Sequence, residues 1–162
     1  MTGHCNLGDE TTALFVAHAF DRILAHLQRV SPSGIVALSG LAAGADTLFA
    51  EAALAHAIPL EACLASTDLI ENFPPGPDRD RYLALCQNSQ RIHQLPFALR
   101  SNTAYMALGR WLVDSSALLL AAWNGLPAAA EGGSGDVVAY AKQQSKPIIH
   151  IHTCHHTIAM LD

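Results

Sequence analysis

The feature that constrains this chain most is an alternation between short, uninterrupted apolar runs and stretches with helical periodicity. Ile35-Val-Ala-Leu38, Pro59 to Ala65, Ala117 to Trp123 and Pro147 to His152 are largely apolar at consecutive positions. A strand with one wetted face carries a polar residue at every second position. Strands without that alternation are buried on both faces, as in a parallel sheet covered by helices. Between them, Val16, Phe20, Ile23, Leu24 and Leu27 recur at helical spacing within Thr11 to Val30, and Asp9 is placed to cap that helix. Further helices are expected over Ala42 to Ala57, ended by Pro59; over Asp78 to Ser89, opened by Pro77; over Asn102 to Ser115, capped by Ser101 or Asn102; and over Asp136 to Gln144. Arg91 to Leu95 reads as one more short strand. The expected fold is α/β, a doubly wound, mostly parallel sheet with helices on both faces.

The 162 residues read as a single domain, 1–162, long enough to bury about two-thirds of the unfolded surface. The loop-rich break Phe73-Pro-Pro-Gly-Pro-Asp78 is too short to be a linker. One irregularity stands out: only Met1, Thr2 and Gly3 precede the polar stretch His4 to Asp9. Either the first strand is very short, or the start is truncated and the sheet is completed in another way.

Charged residues make up only 14% of the chain, against about 25% in a typical domain. Charge this sparse implies a thick core and a surface partly covered by another subunit, so a homodimer or larger assembly is expected, with Leu108 to Leu112 as the contact face. A formal charge of −5 and the absence of any Lys/Arg run make nucleic acid an unlikely partner by composition. No apolar stretch approaches the ~20 residues that cross a bilayer, and the first residues lack the pattern of a secretory leader, so no membrane partner and a cytoplasmic location are expected. Cys5, Cys63, Cys86 and Cys154 form no C-x-x-C pair and read as reduced thiols.

In an open parallel sheet, ligands sit beyond the carboxyl ends of the strands, where helix N-termini present free N–H groups. Two turns suit that role. The first is Ser39-Gly-Leu-Ala-Ala-Gly-Ala-Asp46, with Ser39, Gly40, Leu41 and Gly44 around the approach and Asp46 behind them. It has neither the dinucleotide G-x-G-x-x-G spacing nor the Lys-Ser/Thr of a P-loop. The second is Glu131-Gly-Gly-Ser-Gly-Asp136, where Gly132, Gly133 and Gly135 let successive N–H groups converge on an anion and Ser134 adds a hydroxyl. Each turn also has a purely structural reading: close packing for the first, a glycine loop for the second.

Thr2-Gly3-His4, the Ser39 to Asp46 turn, Tyr105 to Asp114, Trp123-Asn-Gly125 and the Glu131 to Asp136 turn together resemble, in order, the SLOG superfamily. That superfamily groups the Lonely Guy phosphoribohydrolases, the DNA-processing protein A core and nucleotide-sensing domains. The resemblance implies a Rossmann-like fold that binds nucleotides or ADP-ribose-type derivatives across these turns. Gly3, His4, Arg110 and Trp123 would join the two turns as ligand-binding residues, and Asp46 or Asp136 could reach a ribose. Lonely Guy enzymes carry P-G-G-x-G-T-x-x-E, whereas here Ala139 stands where the glutamate should be. Cleaving an N-glycosidic bond needs a carboxylate. The expectation is therefore a binding or sensing module with a separately encoded effector, and the alternative is a nucleotide N-glycoside hydrolase or ribosyltransferase that uses Asp136 or Asp46.

Other residues admit two readings. Arg110 and Asp114, four apart, form either a solvated pair or a phosphate contact. Tyr105, Trp111 and Trp123 either stack on a base or fill the core. Arg79 and Arg81 follow the Pro-rich break, where a loop could fold over a ligand. His150, His152, Cys154, His155 and His156 are metal-capable types, but their spacing fits no closed zinc site, so neither a metal nor a cofactor is expected.

Overall fold

A computed structural model describes residues 1–161. In chain order the elements are β1 (Thr2–Gly3), α1 (Glu10–Val30), β2 (Ala37–Ser39), α2 (Ala45–Ala55), β3 (Leu60–Leu64), a short 3-10 helix (Leu69–Asn72), α3 (Pro77–Asn88), β4 (Arg91–Gln94), α4 (Asn102–Asp114), β5 (Leu119–Trp123), α5 (Ser134–Gln143), β6 (Ile148–His152) and β7 (Thr157–Leu161). The caps follow the sequence. The Asp9 carboxylate accepts the Thr12 N–H at 2.7 Å to open α1, and the Ser101 hydroxyl accepts the Ala104 N–H at 3.1 Å to open α4.

The strands form two ladders, β1-β5-β6-β7 and β2-β3-β4, parallel throughout except for antiparallel β7. One contact joins them: the Met1 nitrogen donates to the Leu38 carbonyl at 2.8 Å, which sets β1 between β2 and β5. The chain thus winds outward from β1 through β2, β3 and β4, then returns to β5 on the other side of β1. That is the Rossmann-like, doubly wound arrangement, and the strand order reverses beside β1.

The core lies on both sides of this sheet, and the strands show why they are apolar at every position. Leu120 and Ala122 of β5 face the layer of α1, α2 and α3, where Val16, Phe20, Leu24, Phe49 and Tyr82 are buried. Leu119, Ala121 and Trp123 face α5, packing on Val137, Val138 and Ala141. On β3, Leu60 and Ala62 look to the first layer, while Cys63 looks to Leu108 and Leu112 of α4. The side-chain period of two places consecutive residues in opposite cores.

Two expectations change here. Leu108 and Leu112, expected on a contact face between subunits, are buried in the chain's own core, as is Gly109 between them, against which Val137 packs. β7, absent from the sequence reading, adds an antiparallel edge strand; its Ile158 and Met160 are exposed, so it carries no two-sided apolar signature. No helix among the described residues is long and apolar enough to cross a membrane.

Candidate functional site

β1 and β5 end side by side at the reversal of strand order, and the loops that leave them meet the N-termini of α2 and α5. His4 ties this region together. Its N–H donates to the Ala122 carbonyl at 3.0 Å, its carbonyl accepts the Ala45 N–H at 3.1 Å, and its Nε2 accepts the Asn124 N–H at 3.1 Å. Accepting at Nε2 leaves the ring proton on Nδ1, so the imidazole is neutral in this arrangement and its single donor points away from Asn124. Gly3 precedes it because a Cβ there would overlap Ala45 and the Ala122 carbonyl.

The Ser39 to Asp46 turn is filled from within. Ser39 is fully buried; its hydroxyl donates to the Asp46 carbonyl and accepts the Leu41 N–H, both at 3.2 Å. Leu41 is fully buried with a left-handed backbone, φ 53°, an uncommon conformation for a leucine. Gly44, at φ 76°, serves two ends: the left-handed turn itself, and the approach of the β1 loop, since a Cβ there would fall on the carbonyl oxygens of His4 and Cys5. A Cβ at Gly40 would press on Leu108 and on the Asp46 carboxylate. Burial pushes the Asp46 carboxyl up to about 6, while the Met1 amino group and the Ala42 and Gly40 N–H groups pull it down. The groups that could cradle a phosphate here are therefore turned toward an internal carboxylate and the β1 loop.

The second turn differs. Gly132, at φ 83°, lies against Asn102, Tyr105 and Met106 of α4, and its N–H donates to Asp136 Oδ2 at 3.1 Å. Gly133 has φ −71° and ψ 167°, ordinary extended backbone, and packs on Ala128; Gly135 packs on the backbone of Leu126 and Pro127. The Gly133 N–H is taken by the Ala130 carbonyl. Among the described residues, the Ser134 and Gly135 N–H groups have no protein partner, and both residues are half-buried rather than sealed. They sit at the positive end of a ten-residue helix.

The remaining sequence candidates fall outside this opening. Trp123 is buried, its indole N–H donating to the Leu126 carbonyl at 3.0 Å and its ring packed 4.0 Å from that of His150. Arg110 lies over the Tyr140 ring at 5.4 Å, and the Tyr140 hydroxyl, not Arg110, binds Asp114. This places Arg110 about 9 Å along α5 from its first residue. Arg81 is paired with Glu51 and Arg79 donates to the Phe73 carbonyl, so α3 holds both. Ala139 is exposed.

Two further groupings lie at the same end of the sheet, one drawn from the histidine-rich tail already noted in the sequence and one that sequence reasoning missed. His150, His152 and His155 stack in series beside Trp123, with burial lowering the pKa of His150 and His152 first of all. Beyond β3, Asp68 accepts the Ser66 hydroxyl at 2.7 Å and pairs with Arg100, which also reaches Asn72 beside Tyr105. Only the tertiary fold brings Arg100 back to the β3 crest, so no local spacing announces it.

These features define a class by fold: a Rossmann-like, doubly wound domain with its opening beyond the carboxyl ends of β1 and β5. Among solved structures the chain is similar to DNA processing protein A (DprA) from Streptococcus pneumoniae, with a TM-score of 0.61 and 16% identity over 96% of this chain and 54% of that one. The chain spans about half the length of that protein, and at this identity the likeness is one of fold. No protein-family profile and no curated protein matches the sequence.

Proposed function

We propose that the domain binds a phosphate-bearing, nucleotide-derived small molecule, an adenine nucleotide or ADP-ribose-type ligand, at the N-terminus of α5. The observation that carries this reading is the pair of unengaged N–H groups, Ser134 and Gly135, opening beside the reversal of strand order. An anion there gains two backbone donors and the helix dipole without displacing any protein hydrogen bond. His4, Asn124 and the glycines at 132, 133 and 135 frame the opening. Gly3, Ser39, Gly40, Leu41, Gly44 and Asp46 hold its floor, while Arg110 and Trp123 stand outside direct contact. The reading is of a cytoplasmic sensor that binds without turnover and signals through a separately encoded effector. The exposed Ala139 supports it, because the glutamate of the Lonely Guy motif has no counterpart there, and Asp136 is engaged with the Gly132 N–H.

The test uses a substitution that the local geometry tolerates. Ser134 is the first residue of α5, a position that accepts proline, and the extended backbone of Gly133 suits the residue before proline. Ser134→Pro removes one of the two free N–H groups and leaves the helix intact. Ligand at 100 times its dissociation constant adds about 2.7 kcal/mol, or roughly 5 to 11 °C in Tm for a domain near this size. A panel of AMP, ADP and ADP-ribose is expected to include at least one ligand that gives such a shift in the parent protein. In Ser134→Pro the unliganded Tm should be retained and the shift lost. No shift with any member of the panel, or an equal shift in both proteins, would refute the site.

A further inference from the structure

β6 and β7 are joined by the turn Thr153 to His156, since His152 pairs with Thr157 across the hairpin. The Thr153 N–H reaches the Trp123 carbonyl at 3.1 Å, but those of Cys154 and His155 have no backbone acceptor among the described residues. Both converge instead on His152 Nδ1, at 3.2 and 3.3 Å. Accepting from the residues two and three positions ahead is the task an Asn or Asp side chain performs in a turn. An imidazole does it in one state only. With Nδ1 accepting, the ring proton is on Nε2; a second proton can enter only at Nδ1, where it would face two donors. The ring stacks on those of His150, at 4.9 Å, and His155, at 4.2 Å. β5 and β7, on either side of β6, carry no titratable side chain. From α5, Lys142 adds positive charge beside His150, while Asp136 is held by the Gly132 N–H and Tyr140 by Asp114. His4 of the β1 loop is bonded to Asn124, and on the far side of the turn His156 meets Thr12, Phe15 and Asp9 of α1 and its cap. The groups that stack on His152 are thus imidazoles, whose own charge opposes its protonation.

We propose that the β6 to β7 turn is a latch, closed by neutral His152 and released when a proton enters its Nδ1, and that the loop framing the opening at α5 moves with it. Gly125 connects the two. A Cβ there would stand 3.3 Å from His152 Nε2, so the loop lies directly on the ring. The next residue, Leu126, takes the Trp123 indole N–H at its carbonyl, and Gly135 of α5 packs on that same carbonyl and on the Ala128 nitrogen. Release gives up two hydrogen bonds and sets a cation against the ring of His150. Burial, then the charges of His155 and His150, hold the His152 pKa below its ordinary 6.5. The latch is therefore complete above that value and is lost as pH falls through the lowered one. Control of ligand access by a proton rests on the function proposed above, whereas the latch is read without any ligand.

The test follows ring tautomers by long-range proton–nitrogen NMR, and amide exchange at Cys154 and His155 corrected for its intrinsic pH dependence, from about pH 7.5 to about pH 4.5. At the upper end His152 should be the Nε2–H tautomer. As it is protonated, protection of both amides should fall about tenfold or more, and the Ser134 and Gly135 amide shifts should titrate with the same midpoint. His152→Asn, whose Oδ1 accepts from the same two N–H groups at every pH, should keep the protection throughout. His152→Ala should lack it throughout. An Nδ1–H tautomer, parent protection that does not follow the His152 titration, or protection in His152→Asn that is lost at low pH overturns the latch, as does full protection in His152→Ala. Ser134 and Gly135 shifts that ignore the His152 midpoint overturn the link to the opening, whatever the outcome of the nucleotide panel.

Discussion

Asp46 shows how one residue can carry a motif that reads as a ligand site and yet belongs to the protein's own architecture. It is 6% exposed, it lies under Gly40, and burial raises its pKa from 3.8 to about 6. The consequence for stability has a definite sign. Below pH 4 the carboxyl is protonated in folded and unfolded chains alike; between about 4 and 6 the unfolded chain releases the proton first. Stability therefore falls as pH rises through that window, by about 3 kcal/mol in all, and stays reduced above it. Asp46→Asn keeps an acceptor for the Gly40 and Ala42 N–H groups but cannot ionise. Its Tm should match the parent at pH 4 and exceed it by roughly 6 °C at pH 7.5, measured by calorimetry at both values. The glycines of the two turns were visible in the sequence as a pattern, but their separate tasks were not. Gly44 admits the β1 loop, Gly132 admits α4, and Gly135 admits the backbone of Leu126 and Pro127. Each of these partners is distant in sequence or lies in an irregular loop, where periodicity carries no signal.

At the scale of elements, the meeting of α2 with the β1 loop is the joint on which the opening depends. Gly44 caps α2 without a side-chain hydrogen bond, and the helix is pinned instead by the Ala45 N–H on the His4 carbonyl. Gly44→Ala would place a methyl on two carbonyl oxygens in a left-handed conformation. A loss of about 3 kcal/mol or more is expected in chemical denaturation, with an unchanged m-value. The elements were largely legible because apolar runs and caps are local signals: α1, α4, β3, β5 and β6 lie within about two residues of their expected limits. β1 was legible only as a difficulty, since two residues cannot show a pattern. The 3-10 helix Leu69–Asn72 was not legible at all; it depends on Leu69 burying itself in the main core.

For the molecule as a whole, the sparse charge that suggested assembly now has to be placed on a surface, because Leu108 and Leu112 are spent on the internal core. The exposed large apolar side chains include Ile158 and Met160 of β7 and Leu14 of α1. β7 pairs with β6 along one edge only, so its other edge presents unpaired backbone groups among the described residues. Ile158 also borders a shallow hollow on α1 formed with Phe15, His18 and Arg22. An edge strand with two apolar side chains and no lysine or proline to blunt it has the character of a contact surface, and pairing with the same edge of a second copy satisfies both rows of backbone groups at once. Light scattering at micromolar concentration should therefore return at least twice the 17.2 kDa of one chain. Met160→Lys, which places a charge on that edge while leaving the β6 to β7 ladder in place, should return the mass of a single chain with its far-UV circular dichroism unchanged. A parent protein that is monomeric under these conditions, or a Met160→Lys variant that still assembles, would show that the sparse charge covers a thick core and not an interface through β7.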